Sequence, residues 1–269
     1  MSDLWVAAIL GIVEGITEFL PVSSTGHLIV AGNILDFTGE KASCFDVFIQ
    51  LGAILAVVVL YRHRFLNLIP LRILPSSGGD RFSGLRGIAL LALTTLPALV
   101  VGFFAHKAIK LYLFGPMTVA WALGLGGVGI LLAEKYRPKP EVMELGGLSY
   151  KQALVVGFFQ CIAMWPGMSR AACTIVGGLL SGLDRKVATE YSFLAAVPVM
   201  IAAVSYDLFK EWRLLSFSDF GFFAVGFLVS FVCAAVAVKT FIALVQRWTL
   251  APYAWYRIAI APFIYLGMR

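Results

Sequence analysis

The sequence predicts an all-α integral membrane protein with six full transmembrane helices and two re-entrant helical hairpins. The chain is 60% hydrophobic and only 13% charged, about half the charged share of a typical soluble domain. Its charges are also segregated, which leaves apolar runs of about 20 residues, the length needed to cross a hydrocarbon core of roughly 30 Å. Two further apolar regions are broken near their middle by polar loops, and these predict the hairpins.

Six apolar segments are long enough to be full spans. They lie at about 45–61, 87–106, 114–134, 188–207, 218–241 and 250–267. Regions 4–35 and 150–183 are also apolar, but polar loops at 21–27 and 166–170 divide them into pieces too short to span. Proline ends a helix and Ser or Thr can cap the next one, so each region is predicted to dip into the membrane and return. Irregular backbone at that depth requires surrounding protein or a polar cavity.

The distribution of basic residues orients these segments. If the loop at 62–86 is cytoplasmic, thirteen of the 21 Lys and Arg residues fall inside and six outside, as the positive-inside rule expects. The whole chain, 1–269, is then one membrane domain. It comprises an inverted repeat, 1–134 and 150–269, joined by a cytoplasmic linker at 135–149. A ligand site is expected near the midplane between such repeats, where the two polar loops meet.

Composition also bears on partners. The net charge of +6 resides in short loops between apolar runs, so it indicates membrane orientation and no nucleic acid partner. The four cysteines lack metal-ligand spacing and are interpreted as packing residues. Membrane lipids surround such a chain, and a homodimer is compatible with a sequence that does not determine the oligomeric state.

Two carboxylates stand in the first half-helix of hairpin 4–35. Glu14 and Glu18 are four residues apart and share a helix face. Burying each costs about 2.5–3.5 kcal/mol on insertion scales, so a functional reason is expected. Adjacent ionised carboxylates repel unless a divalent metal, a shared proton or a nearby Arg intervenes. A helix face that merely lines a water-filled vestibule is the simpler alternative.

The first polar loop resembles an anion cradle. It supplies hydroxyls and free N–H groups at the start of a half-helix, from Ser23, Ser24, Thr25, Gly26 and His27. Ser24 could be a nucleophile with His27 or Glu18 as its base. The simpler alternative is that these hydroxyls only cap the following helix.

The second polar loop adds a cation. It contributes Gly167, Ser169, Arg170 and Thr174. The Arg170 guanidinium can bind phosphate bidentately and offset charge developing during transfer, or it can form a structural ion pair with Glu14 or Glu18. Arg257 is interpreted as snorkelling or pairing locally near a helix end, without a catalytic role.

Together these residues favour phosphoryl transfer, in which positioning and charge neutralisation dominate. Several other phosphate-handling designs are excluded. The chain has no Walker-type Gly-Lys-Ser/Thr and no Cys six residues before an Arg. Its three histidines all precede Arg170, so no catalytic His follows the Ser-Arg pair.

The motifs at 14–27 and 166–170 resemble the two signature motifs of bacterial undecaprenyl-diphosphate phosphatases of the bacitracin-resistance type. The resemblance extends over 45–58 and 190–203, and so over nearly the whole chain. One departure is Ala171-Ala172, where the family usually has Ser-Gly.

The resemblance implies hydrolysis of undecaprenyl diphosphate to the monophosphate, with Mg²⁺ or Ca²⁺, in the bacterial inner membrane. Glu14 and Glu18 would then serve the metal and acid–base chemistry, and Arg170 would hold the diphosphate. Ser24 and His27 would supply the nucleophile and its activation, in an order that the pattern leaves open. The first hairpin enters from outside, so the site is expected to face the periplasm.

A transporter is the chief alternative. Inverted repeats with broken helices are typical of secondary transporters, and buried Glu, His and Arg side chains can relay protons. The six predicted spans hold almost no charge away from their ends, which disfavours transport alone.

Overall fold

A computed structural model gives the fold of the chain. It describes residues 4–69, 81–113, 115–211 and 219–267. Within these ranges the regular structure is eleven α-helices, one 3₁₀ turn and an isolated bridge between Val142 and Leu183. Residue 114 and residues 212–218, where two predicted spans begin, lie outside the described residues, as do Arg72, Arg213 and Arg269 of the predicted loops and tail.

The helices divide between the two halves of the chain. The first half contains α1 (Leu4–Thr17), α2 (Ser24–Ile34), α3 (Glu40–Leu60), the short α4 (Arg62–Asn67), α5 (Gly84–Tyr112) and α6 (Pro116–Tyr136). The second half contains α7 (Tyr150–Ile162), α8 (Arg170–Leu180), α9 (Arg185–Glu211), α10 (Phe220–Val245) and α11 (Ala251–Gly267). The 3₁₀ turn, Leu145–Gly147, lies in the linker.

In the described part of the chain, five helices are long and apolar enough to cross a membrane, namely α3, α5, α6, α9 and α10. The predicted class, a multi-pass helical membrane protein, is therefore confirmed. The sixth predicted span coincides with α11, which is a helix of only 17 residues and contains Arg257. It is shorter than the other five because Leu250 and the residues before it form the connection from α10.

The two interrupted regions are helix pairs broken at the predicted loops. A turn at residues 18–23, containing Pro21, separates α1 from α2, and a turn at residues 163–169 separates α7 from α8. The residue before each second helix has a left-handed backbone: φ is 71° at Ser23 and 70° at Ser169. That conformation is uncommon for non-glycine residues, so finding it twice at equivalent positions marks the two turns as alike.

Helix contacts follow a pattern in which the halves correspond. α1 packs on α10 as α7 packs on α5, and α2 packs on α11 as α8 packs on α6. α3 packs on α10 as α9 packs on α5, while the pairs α3–α9 and α6–α11 join corresponding helices across the centre. This arrangement brings the turns of the two broken helix pairs face to face.

Candidate functional site

An ion pair joins the two turns. Arg170 is the first residue of α8, and its Nη2 lies 3.0 Å from Oε1 of Glu18, in the turn after α1. The two side chains are only 13% and 9% exposed. The sequence predicted that these loops meet, and this contact between residues 152 positions apart confirms it.

Ser24 completes the contacts of the Glu18 carboxylate. Its hydroxyl donates a hydrogen bond to Oε2 of Glu18 over 2.6 Å. Ser24 is the first residue of α2, and the left-handed backbone of Ser23 turns the chain so that α2 starts beside Glu18. A short hydrogen bond to an ionised acceptor is the strong kind, and it suits proton transfer from the hydroxyl to the carboxylate.

Arg170 is held from several sides but keeps one donor without a partner. Its Nη1 donates to the carbonyl of Ser192 over 3.3 Å, and its guanidinium carbon lies 5.2 Å from the centre of the Phe19 ring. Its Nη2 also approaches the sulfur of Met200 at 3.5 Å. Within the described part of the chain, no acceptor meets the buried Nε. An unpaired buried donor is costly, so this N–H is suited to an incoming anion.

A cavity of about 320 Å³ lies at this meeting point, and because the two turns line it with polar side chains on one side, we call it the polar cavity. Most of the predicted site residues line it: Glu18, Ser23, Ser24, Thr25, Gly167, Ser169 and Arg170. Gln50, Val199 and Met200 also line it and were not predicted, because nothing in an apolar helix marks which of its faces will meet a cavity. The first turns of α2 and α8 both border the cavity, and helix N-termini favour anions.

Gly26 and Thr174, both predicted to bind substrate, do not line this cavity. Gly26 is buried against α6, where a Cβ would approach the Leu123 side chain to 3.2 Å. Thr174 is 1% exposed and hydrogen-bonds to the Ser192 hydroxyl over 2.6 Å. These contacts point to packing between helices as their local role.

His27 is engaged away from Ser24. Its Nδ1 lies 2.7 Å from the Ser23 carbonyl oxygen, and its Nε2 lies 2.6 Å from the hydroxyl of Tyr256 on α11. The two rings also stack, with centroids 5.7 Å apart. Since both ring nitrogens have partners, the structure pairs the Ser24 hydroxyl with Glu18 and leaves His27 to link α2 to α11.

Glu14 lies one helical turn before Glu18 and is fully buried. Neither of its carboxylate oxygens has a hydrogen-bond partner among the described residues. The charged groups close enough to influence its ionisation are Glu18, Asp46 and Arg170. In the described ranges no three His, Cys, Asp or Glu side chains cluster as a complete metal site. Mg²⁺, however, is commonly bound by one or two carboxylates together with phosphate oxygens and water. Glu14 and Glu18 could provide the two carboxylates.

Arg257 was interpreted as snorkelling or pairing locally, and that interpretation is wrong. The side chain is 0% exposed, and all five of its N–H donors reach backbone carbonyls. The acceptors belong to both turns and to α6: Pro21, Gly167, Met168, Ala122 and Leu123, at 2.9–3.2 Å. Arg257 therefore fixes the two turns relative to each other. The sequence does show a lone Arg inside an apolar run, which indicates a buried role. It could not identify the partners of this Arg, because they are distant in sequence.

The cysteines are consistent with packing. Cys44 and Cys173 are buried, and Cys161 and Cys233 are half-buried.

Comparison with known proteins identifies the family of the chain. A family model described as bacitracin resistance protein BacA matches residues 7–263. The chain is 57% identical over 264 residues to an undecaprenyl-diphosphatase of Maridesulfovibrio salexigens, covering 98% of each protein. It is 59% identical over 268 residues to one from Nitratidesulfovibrio vulgaris strain DP4, covering 100% of this chain and 99% of that protein. It is 47% identical over 271 residues to one from Lawsonia intracellularis, covering 100% of both. Matches of this length and identity include both turns and every helix that contributes to the cavity, and the chain therefore belongs to the bacitracin resistance protein BacA family.

Proposed function

We propose that this protein hydrolyses undecaprenyl diphosphate to undecaprenyl phosphate and inorganic phosphate. The relatives named undecaprenyl-diphosphatase support the reaction. The observation that carries the proposal is the cluster at the two turns. There, Glu18 accepts a hydrogen bond from the Ser24 hydroxyl and pairs with Arg170 beside a polar cavity.

The Ser24 hydroxyl is the nucleophile in this mechanism, because it is the one that hydrogen-bonds to a carboxylate. Glu18 takes the hydroxyl proton as Ser24 Oγ attacks the terminal phosphorus. A new P–O bond to Ser24 forms, the anhydride P–O bond breaks, and undecaprenyl phosphate leaves with the bridging oxygen. Water then attacks the phosphoserine, and the proton held on Glu18 returns to the Ser24 oxygen as inorganic phosphate departs.

Arg170 provides the charge for this transfer. Its unpartnered Nε can donate to the terminal phosphate, while Glu18 and the Ser192 carbonyl keep the guanidinium in place. Preorganised donors of this kind stabilise developing charge without reorganising during the reaction. Thr25 and Ser169 border the same cavity, and their hydroxyls can bind the remaining phosphate oxygens.

The cofactor belonging to this proposal is Mg²⁺ or Ca²⁺, held by Glu14 and Glu18. The buried oxygens of Glu14 support it, because they lie one helical turn from Glu18 and have no hydrogen-bond partner among the described residues. When bound, the cation supplies charge neutralisation for the diphosphate.

The membrane arrangement is also part of the proposal. Six spans, with α11 as the sixth, and two re-entrant hairpins form an inverted repeat of residues 1–134 and 150–269. A helix of 17 residues lies at the short end of the spanning range, and the corresponding helix contacts of the two halves support the repeat. The protein would reside in the inner membrane with its cavity opening to the periplasm.

The test is phosphate release from undecaprenyl diphosphate by purified protein in detergent. We expect release that EDTA abolishes and Mg²⁺ restores. Glu18→Gln and Ser24→Ala should each lower the rate about 10²–10⁴-fold, the usual contribution of such groups. Matched controls are Glu40→Gln and Ser43→Ala, which change the same residue types on the exposed start of α3. Folded wild-type protein that releases no phosphate would disprove the proposal and favour transport, which flux in liposomes would then measure.

A further inference from the structure

The two turns are alike in backbone but differ in how their last residue is held. Ser169, just before α8, accepts a hydrogen bond from the backbone N–H of Ala172, so its side chain caps that helix. Ser23 occupies the equivalent position before α2 and has the same left-handed backbone, but its side chain makes no capping hydrogen bond. A non-glycine residue keeps this disfavoured conformation only where surrounding contacts enforce it, so a different contact must hold the first turn.

That contact comes from the imidazole of His27. Its Nδ1 lies 2.7 Å from the Ser23 carbonyl oxygen, and because a carbonyl can only accept, Nδ1 carries the proton. The equivalent residue in the second turn, four positions after Ser169, is Cys173, whose backbone N–H donates to the Ser169 carbonyl over 3.0 Å. The first turn is therefore held by an imidazole where the second turn is held by a serine cap.

Tyr256 determines which nitrogen of this imidazole carries the proton. Its hydroxyl lies 2.6 Å from Nε2 of His27, and the two rings stack with an angle of 9° between their planes. A neutral imidazole has one N–H and one lone pair, so a proton on Nδ1 leaves Nε2 to accept from the hydroxyl. Without that hydroxyl the proton could move to Nε2, and Nδ1 would then present a lone pair to the Ser23 carbonyl.

The next residue of α11 holds the same turn at another point. Arg257 donates to the carbonyl of Pro21 over 3.2 Å, two residues before Ser23. Helix α11 therefore fixes two carbonyls of the turn from which Ser24 begins α2. Tyr256 itself lies away from the chemistry, since it is 43% exposed and is not among the residues that line the polar cavity.

We propose that Tyr256 is a positioning residue for the phosphoryl transfer. Its hydroxyl keeps the proton of His27 on Nδ1, and this proton holds the Ser23 carbonyl. The anchored turn then places the Ser24 hydroxyl against Glu18. Neither ring lines the cavity, so the contribution of the pair is to the geometry of attack and not to headgroup binding. The inference rests on the proposed function, because it takes Ser24 to be the attacking group.

The first experiment measures phosphate release from undecaprenyl diphosphate by Tyr256→Phe, which keeps the stacked ring and removes only the hydroxyl. We expect kcat to fall about tenfold while KM stays within about twofold, because the groups that bind the headgroup are unchanged. Tyr253→Phe is the matched control and should change neither constant, since Tyr253 lies one turn earlier on α11 and lines an apolar pocket apart from the polar cavity. In a chain carrying His27→Ala, adding Tyr256→Phe should change kcat less than about twofold, because the hydroxyl acts through the imidazole.

The second experiment observes the tautomer itself and needs no turnover. Nitrogen NMR of histidine-labelled protein, with the His27 signals assigned by their loss in His27→Ala, should show Nδ1 protonated and Nε2 unprotonated in the wild type. Tyr256→Phe should give a mixture of the two tautomers. A wild-type ring protonated at Nε2, a normal kcat in Tyr256→Phe, or additive losses in the double variant would overturn the inference. If wild-type protein releases no phosphate, the proposed function fails, and the spectrum still decides whether Tyr256 sets the tautomer.

Discussion

Glu18 receives two hydrogen bonds that have different chemical consequences. The Arg170 contact holds the carboxylate in place, while the Ser24 contact offers it a proton. A carboxylate anchored at one oxygen and accepting at the other has little freedom to rotate. Its orientation toward the Ser24 hydroxyl is thus set before a ligand arrives.

Replacing Arg170 with lysine tests whether geometry or charge alone matters at this residue. Arg170→Lys keeps the positive charge but loses the planar fork that reaches Glu18 and the Ser192 carbonyl together. We expect phosphate release to fall about 10²–10³-fold, as for the loss of one oxyanion-stabilising donor, with the folded protein still recovered. Arg185→Lys is the control, because Arg185 makes a comparable two-point contact with Glu134 outside the cavity. Near-normal turnover by Arg170→Lys would remove Arg170 from the reaction centre.

Arg257 leads to a different expectation, since it contacts the turns and not the cavity. Arg257 donates to five backbone carbonyls, and a lysine in its place has only three N–H donors. At least two buried carbonyls therefore lose their hydrogen-bond partner, and each loss lowers the free energy of unfolding by about 1–3 kcal/mol. We expect a lower thermal midpoint together with a lower kcat. The exposed Arg247→Lys should change neither. A variant with unaltered kcat would show that the turns keep their positions without this residue.

Residue types were more predictable than their partners. Glu14, Glu18 and Arg170 could be identified from the sequence because ionisable groups in apolar runs are rare. The sequence did not decide whether Glu18 or His27 is the partner of Ser24, since both lie within six residues of it. Tyr256 as the partner of His27 was not predictable at all, because 229 positions separate them.

At the scale of elements, the second turn depends on a glycine. Gly167 has φ of +98°, and a Cβ there would come within 2.6 Å of the Val119 carbonyl oxygen on α6. Gly167→Ala should therefore destabilise the fold by about 1–2 kcal/mol from the backbone conformation alone, and by more from the clash. Phosphate release should fall with it, because Gly167 lines the cavity. Gly129→Ala, in open space on α6, is the control. Equal melting temperatures for the two variants would contradict this account.

The broken helices were predictable and the close helix contacts were not. Pro21 and Pro166 end helices within apolar runs, and Ser23 and Ser169 stand two and three residues later, just before the next helix. By contrast, Gly11 and Gly15 let α1 approach α10 so closely that a Cβ at either would lie within about 2.6 Å of an α10 carbonyl. Small residues on a helix predict some close neighbour, but only the assembled structure identifies α10.

At the scale of the whole molecule, the proposed inverted repeat makes a prediction about sidedness. In a chain whose four cysteines are replaced by Ala, Asp36→Cys should react with a membrane-impermeant maleimide only from the periplasmic side. Glu141→Cys, in the linker, should react only from the cytoplasmic side. Asp36 follows α2 and Glu141 precedes α7, so the pair reports on both hairpins. Labelling of both positions from one side would rule out the opposite orientation of the repeats.

Arg257 also has a consequence for the order in which the protein is made. The two turns that it holds centre on residues 21 and 167, but α11 leaves the ribosome only after both hairpins have been synthesised. Until α11 inserts, the carbonyls of both turns lack the Arg257 guanidinium that donates hydrogen bonds to them. The two turns that carry Glu18 and Arg170 are then not held relative to each other. We therefore expect a chain that ends before α11 to lack an ordered site, even when both broken helix pairs are already in the membrane.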